Sequence, residues 1–203
     1  MNLMLDRQVL GALSITLAIV ASAPYIHSTL RGVTRPHLCS WMTWAVVTTV
    51  VFFAQLQSQG GIGAWPTGVS ALLTIFVALL AWRKRGDITV SRMDWAFLLA
   101  SLSSLPLWYL AEDPLSAVIM LTTVDVLGFG PTLRKAYHQP QSEPAVFYAL
   151  VAMRNLTAIL ALEHHSLTTV LFPAVLGLVC LFILGLLMWR RAALVPAQTE
   201  EFR

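Results

Sequence analysis

Seven stretches of this 203-residue chain run apolar for about twenty residues each, the length a helix needs to cross the ~30 Å core of a bilayer. They cover residues 8–24, 37–57, 62–82, 93–111, 115–133, 143–162 and 167–189. Each is continuously apolar over about twice the ~10 residues of an alternating barrel strand, so the pattern predicts helices and an all-α integral membrane fold. Composition agrees: 57% of the chain is hydrophobic and 11% charged, against roughly 25% charged in a soluble domain. That balance excludes an ordinary soluble enzyme, a disordered chain and a collagen-like chain. The first run ends in Ala21-Ser22-Ala23, which has the look of a signal-peptidase site. The residues before it carry one Asp and one Arg, and Pro24 would follow the cut, so the segment reads as a retained first helix that continues beyond its apolar part.

Basic residues set the expected orientation. Arg31 and Arg35 lie between helices 1 and 2, Arg83, Lys84, Arg85 and Arg92 between 3 and 4, Arg134 and Lys135 between 5 and 6, and Arg190, Arg191 and Arg203 after helix 7. Eleven of the thirteen Lys and Arg residues thus fall on one side. Arg7 lies on the other, where the loops carry Glu112, Asp113 and Glu163, and Arg154 lies inside a span. The N-terminus is expected outside and the C-terminus in the cytoplasm, in a membrane of bacterial inner-membrane type.

The chain also matches itself. Leu79-Leu80-Ala81-Trp82-Arg83-Lys84 aligns with Leu186-Leu187-Met188-Trp189-Arg190-Arg191 at an offset of 107 residues. Pro66 with Pro173 and Pro24 with Pro131 share that offset, and Pro36 with Pro144 lies at 108. Helices 1–3 therefore pair with helices 5–7, and helix 4 is left over. An odd linker helix keeps both copies in the same orientation, which makes a parallel repeat. The expected units are a first three-helix bundle over 1–85, a linker over 86–112, a second bundle over 113–191 and a tail over 192–203.

This three-plus-one-plus-three layout, with Pro24, Pro36, Pro131 and Pro144 on helices 1, 2, 5 and 6, resembles the SWEET-type sugar facilitators and their PQ-loop relatives. The resemblance implies alternating access, with those four prolines as hinges. Pro140-Gln141, the dipeptide that names the PQ-loop group, lies here in a loop, and helices 3 and 7 contain none of the asparagines that SWEET transporters carry there. Trp41-Met42-Thr43-Trp44 is also similar to the Trp-x-x-Trp of the nicotinamide riboside transporters, which share a seven-helix layout. Independently of any family, a proline removes an intrahelical hydrogen bond and lets a helix bend. Pro24 and Pro131 come late in their helices and read as kinks. Pro36 and Pro144 read equally as helix-start residues.

Ionisable groups inside a span cost at least ~2.5–3.5 kcal/mol on insertion scales and are functional candidates by default. Asp125 stands nine residues before Arg134, and Arg154 eleven after Glu143. Both fall near mid-depth on consecutive helices, where an ion pair would lower the cost of each. Their repeat counterparts are Ala18 and Val46. Two readings stay open: a substrate or proton site, with Arg154 holding an anionic group and Asp125 a cation or a proton, or a permanent staple between helices. Asn155 adds a polar group pointing about 100° from Arg154, and Thr122 lies one turn before Asp125. His37, Trp41, Trp44 and Thr48 form one stripe on helix 2. That stripe is either a cavity lining for an aromatic or sugar-like solute or part of the aromatic belt at the membrane boundary.

Glu163-His164-His165 lacks zinc spacing and reads as an interfacial loop, so no metal site is expected. Cys39 and Cys180 read as small buried residues. The chain contains no Walker loop, HExxH or GxSxG elbow, and helix 7 has no lysine for a retinal. The residues therefore predict a transporter, neither an enzyme nor a nucleic-acid binder, that needs no cofactor. It would carry a small polar solute (sugar-like, vitamin- or nucleoside-like, or amino-acid-like), with proton coupling open. The alternative is a non-transporting seven-helix receptor. Its partners would be the solute, protons and membrane lipid, with the chain acting as a monomer or homodimer.

Overall fold

The computed structural model describes residues 3–84 and 90–200, with side chains described over 6–84 and 90–194. Arg85, the boundary between the first bundle and the linker, and Arg203 lie outside the described residues. The described chain is helical: α1 (Leu3–Leu30), α2 (Leu38–Gln57), α3 (Trp65–Arg83), α4 (Arg92–Ala111), α5 (Pro114–Gly128), α6 (Gly130–His138), α7 (Ala145–Ala161) and α8 (Leu167–Glu200). Single 3-10 turns sit before α3 (Gly61–Ala64) and before α7 (Pro140–Ser142).

Every apolar run became a helix. Five helical segments are long and apolar enough to cross a membrane: Asp6–Leu30, Leu38–Gln57, Gly61–Arg83, Pro114–His138 and Leu167–Leu194. Two of the seven expected spans fall short of that standard. α7 has only 17 residues, about 25 Å at 1.5 Å per residue. α4 is 20 residues long but is diluted by Arg92, Asp94, Ser101, Ser103 and Ser104. The fifth run is also not continuous to residue 133. α5 stops at Gly128, and a new, strongly amphipathic helix begins at Gly130 with Pro131 in its first turn.

Helix starts follow local chemistry. His37 caps α2, its Nδ1 accepting from the Ser40 amide, and its Nε2 lies 3.8 Å from the Asp94 carboxylate. Ser91 and Asp94 form a reciprocal capping box on α4. Asp113 caps α5, with Pro114 following in the first turn. His37 is therefore an end cap that reaches α4, not a member of a ligand-facing stripe.

In packing, α3 lies between α1 and α2, and α8 lies between α5 and α7. The two sets meet where α1 packs on α7 and α2 packs on α5, and α4 leans on α2 and α5. One apolar cluster joins the sets through Val47, Val50, Val51 and Ala54 of α2, Ala117, Val118 and Leu121 of α5, and Phe172 of α8. Small residues dominate the closest approaches, including Ala54, Ala64, Ala81, Ala117, Ala158 and Ala161. Large apolar side chains such as Leu72, Trp82, Val146, Leu178 and Phe182 point outward and are mostly exposed, while Ser14, Gln55, Ser101, Ser104, Asn155 and Thr169 are wholly buried. Polar inside and apolar outside is a distribution suited to lipid and costly in water.

The helix ends are tied by cations. Lys84, just past α3, donates to the carbonyls of Thr29 and Leu30 at the end of α1. On α8, Arg190 donates to the Tyr137 carbonyl at 3.0 Å and stacks over the Tyr137 ring at 4.3 Å. Arg191 donates to the Pro140 carbonyl at 2.9 Å and to the Glu143 carbonyl at 2.6 Å. Donors of this kind complete orphan helix-end carbonyls. At ~1 kcal/mol per net hydrogen bond, Arg191→Met should lower the melting temperature in detergent by a few degrees. Lys84→Met, which removes two hydrogen bonds where Arg191 makes three, should lower it less. The reverse order in a fluorescence melt would contradict these roles.

Candidate functional site

Mid-height in the bundle, polar side chains from five helices form a ring. On α7, Arg154 is 4% exposed. Its guanidinium donates to the Asn155 Oδ1 at 2.7 Å, to the Pro66 carbonyl at 2.7 Å and to the Ser70 Oγ at 2.9 Å. Ser70 and Thr74 lie one turn apart on α3. The Thr74 hydroxyl meets the Thr48 hydroxyl of α2 at 3.1 Å. Thr48 lies one turn beyond Trp44, and the Trp44 side chain lies beside Asp125 on α5. The ring closes through Cys180 of α8, buried and within electrostatic range of both Asp125 and Arg154.

The level of each residue follows from the packing beside it. α2 and α5 both line the apolar cluster and run antiparallel there. Trp44 comes three residues before Val47, and Asp125 four after Leu121, so both fall immediately beyond the same end of that cluster. Aromatic rings continue from there toward α1. Trp41 meets Trp44 edge-on, with centroids 5.1 Å apart, and Tyr25 lies 5.0 Å from Trp41. The Trp41 indole N–H donates to the Tyr25 hydroxyl at 3.2 Å. Tyr25 adjoins Pro24, so the aromatic series runs from Asp125 to the late part of α1.

Several expectations need correction. Asp125 and Arg154 do not form an ion pair: among the described residues, the ion pairs within 4.0 Å are His37–Asp94 and Lys135–Glu143. The reason is topological. Arg154 faces α3 and α1, where Ser14 donates to its carbonyl at 2.7 Å, whereas Asp125 faces α2. A staple exists, but it joins α7 to α3 through neutral oxygens. Asn155 does not point away from Arg154. Its carbonyl oxygen turns back to the guanidinium, while its amide donates to the Val151 carbonyl at 2.8 Å. Thr122 is buried beside Asp125, but its hydroxyl bonds the Val118 carbonyl at 2.6 Å. Thr48 likewise bonds the Trp44 carbonyl at 2.7 Å.

The prolines divide into two kinds. Pro24 lies inside the unbroken α1, where the Val20 carbonyl loses its usual donor. Pro131 opens α6 just after the break at Phe129. Pro36 precedes the α2 cap, and Pro144 is the residue capping α7 with extended backbone. These two start helices and do not bend them, because the residue preceding the first turn needs no amide donor.

Four contributors were absent from the sequence reading: Ser70, Thr74, Tyr25 and the Pro66 carbonyl. A serine five residues past the start of an apolar helix carries little signal alone, and a backbone carbonyl carries none. Away from the ring, Glu163 accepts from the Ile62 amide at 3.2 Å, and no cluster able to hold a metal ion occurs among the described residues. A concavity of about 610 Å³ lies on α6, lined by Gly130, Pro131, Arg134, Lys135, His138 and Gln139. Comparison with models of known families, with curated proteins and with solved structures returns no match.

Proposed function

We propose that the chain is an integral membrane transporter for a small polar solute, working by alternating access between two three-helix bundles. The observation that carries this reading is Asp125: a carboxylate 8% exposed, with no cation among the described residues within ion-pair distance, on the surface where α5 of one set meets α2 of the other. An ionisable group left in that position is expensive and marks a pathway more often than a scaffold. Binding at mid-depth between repeats is the arrangement that alternating access uses.

The repeat gains support from contacts as well as sequence. α1–α3–α2 and α5–α8–α7 share one packing order, with the third helix in the middle of each. Lys84 ties to Leu30, and Arg190 and Arg191 tie to Tyr137 and Pro140. Arg191 and Tyr137 stand 107 residues after Lys84 and Leu30. In this reading α4 is the linker, the N-terminus faces outside, and Pro24 and the Phe129–Pro131 break are the places where helices 1 and 5 flex. Trp41, Trp44, Thr48, Thr122, Arg154 and Asn155 then lie around the pathway, with Asp125 as its charged centre and the group that would carry a proton.

Flux in proteoliposomes tests it. Radiolabelled amines, vitamins, nucleosides, sugars and amino acids would be offered with and without a pH gradient. At least one should accumulate or equilibrate faster than in protein-free vesicles, and Asp125→Asn should cut that rate tenfold or more while the protein elutes and melts as wild type. A solute that binds without crossing would make the chain a receptor. Loss of folded protein in Asp125→Asn would make the carboxylate structural.

A further inference from the structure

The two charges of the ring are not equally available. The Arg154 terminal nitrogens are taken by Pro66, Ser70 and Asn155. Its buried Nε meets no acceptor, but one N–H cannot make the two-point contact by which a guanidinium fixes a carboxylate or phosphate. The nearby hydroxyls are committed too. Thr48 bonds Trp44 and Thr74, and Thr122 bonds Val118, so a polyol would find few free donors or acceptors. The Trp41 N–H is held by Tyr25, which leaves its ring faces as what it can offer.

What remains on this side is one carboxylate and a series of π faces. Asp125 stands beside Trp44, Trp44 beside Trp41 and Trp41 beside Tyr25, with centroid spacings of 5.1 and 5.0 Å along the aromatic part. Aromatic faces carry negative potential and attract cations, and Tyr25, Trp41 and Trp44 are each half-buried, so part of each ring remains accessible. We infer that the solute is a small organic cation, with an ammonium or aromatic iminium head held by Asp125 and Trp44 and the rest of the molecule lying against Trp41 and Tyr25. Arg154, held by α3, positions α7 and bars a second cation by like charge.

This inference rests on reading the ring as a solute site, but its test does not need transport. Purified protein in detergent would be titrated by calorimetry with choline, N-methylpyridinium and phenethylammonium, alongside 3,3-dimethylbutan-1-ol, the uncharged isostere of choline, and acetate. At least one cation should bind, and if it is choline, tenfold or more tighter than the isostere. Asp125→Asn should abolish the bound cation's heat signal, Asp125→Glu should restore part of it, and Trp44→Leu should weaken binding about tenfold. Equal binding of choline and its isostere, binding of acetate, or no cation bound up to ~20 mM, a ceiling for weak sites of millimolar Kd, would overturn the inference. If Asp125→Asn does not fold, the wild-type comparison of choline with its isostere still decides. Cation binding without flux would sink the transporter reading and leave the cation site standing. Flux of sugars or anions alone would do the reverse.

Discussion

Arg154→Lys is expected to be more damaging than Arg154→Met. The guanidinium reaches α3 at two points, the Pro66 carbonyl and Ser70, while holding Asn155 on its own helix. Hydrogen bonds from a charged donor contribute ~1.5–3 kcal/mol each, so losing three removes roughly 5–9 kcal/mol gross. Removing the charge itself returns ~2.5–3.5 kcal/mol of insertion cost. Met loses the bonds, regains that cost and fills much of the volume, leaving a net loss of about 1.5–6.5 kcal/mol by these two terms. Lys keeps the buried charge on a shorter chain that cannot fork between Pro66 and Ser70, so it loses bonds without the relief. The measurement is the yield of monodisperse protein and the melting temperature of each variant in one detergent. Equal or better stability of Arg154→Lys would show that charge alone, and not the fork, holds α7 to α3. A well-folded Arg154→Met that loses solute binding would return Arg154 to the binding set.

Gly63→Ala should be the most disruptive single-methyl change in the described structure. Gly63 lies in the turn before α3, pressed on the end of α7. A Cβ there would sit 2.4 Å from the Leu162 amide nitrogen, 2.6 Å from its Cα and 2.8 Å from the Ala158 carbonyl. All three are backbone atoms, so relief requires moving the turn away from α7. Such a shift strains the neighbouring ties, the Glu163 amide to the Gly60 carbonyl at 3.2 Å and the Ile62 amide to the Glu163 carboxylate at 3.2 Å. Overpacking of this kind costs ~1–3 kcal/mol, or about 2–12 °C for a chain of this size at ~2–4 °C per kcal/mol. Gly11→Ala is the graded comparison. Its Cβ would meet the Ile62 Cγ2 at 2.6 Å, a side-chain tip that can rotate away, so its loss should be smaller. Gly185→Ala, with nothing within 4 Å, should melt at or above the wild type by up to ~1 kcal/mol of helix propensity. A Gly63→Ala protein as stable as Gly185→Ala would mean that the turn is not in contact with α7.

Helix positions were legible in the sequence because they depend on local quantities, run length and polarity. The seven runs at 8–24 through 167–189 each fell on a helix, and errors were confined to places where a few residues decide, such as the break at Phe129 before Gly130-Pro131. Asp125 and Arg154 were also legible, since a charge inside an apolar run is conspicuous. Their relation was not. Adjacent antiparallel helices made an ion pair the natural expectation, but α8 lies between α5 and α7, so neither side chain has the other to face.

Sequence by itself determined the class of structure: apolar helical runs, several of them long enough to cross a membrane, with two charges stranded among them. Tertiary structure decided which groups those charges meet. Arg154 found neutral oxygens on α3, one of them the backbone carbonyl of Pro66, and Asp125 found the Trp44 indole on α2. Helix formation is settled within a few turns of chain, whereas the partner of a buried charge depends on which faces pack together, here across 88 residues between Pro66 and Arg154. No local pattern encodes that choice.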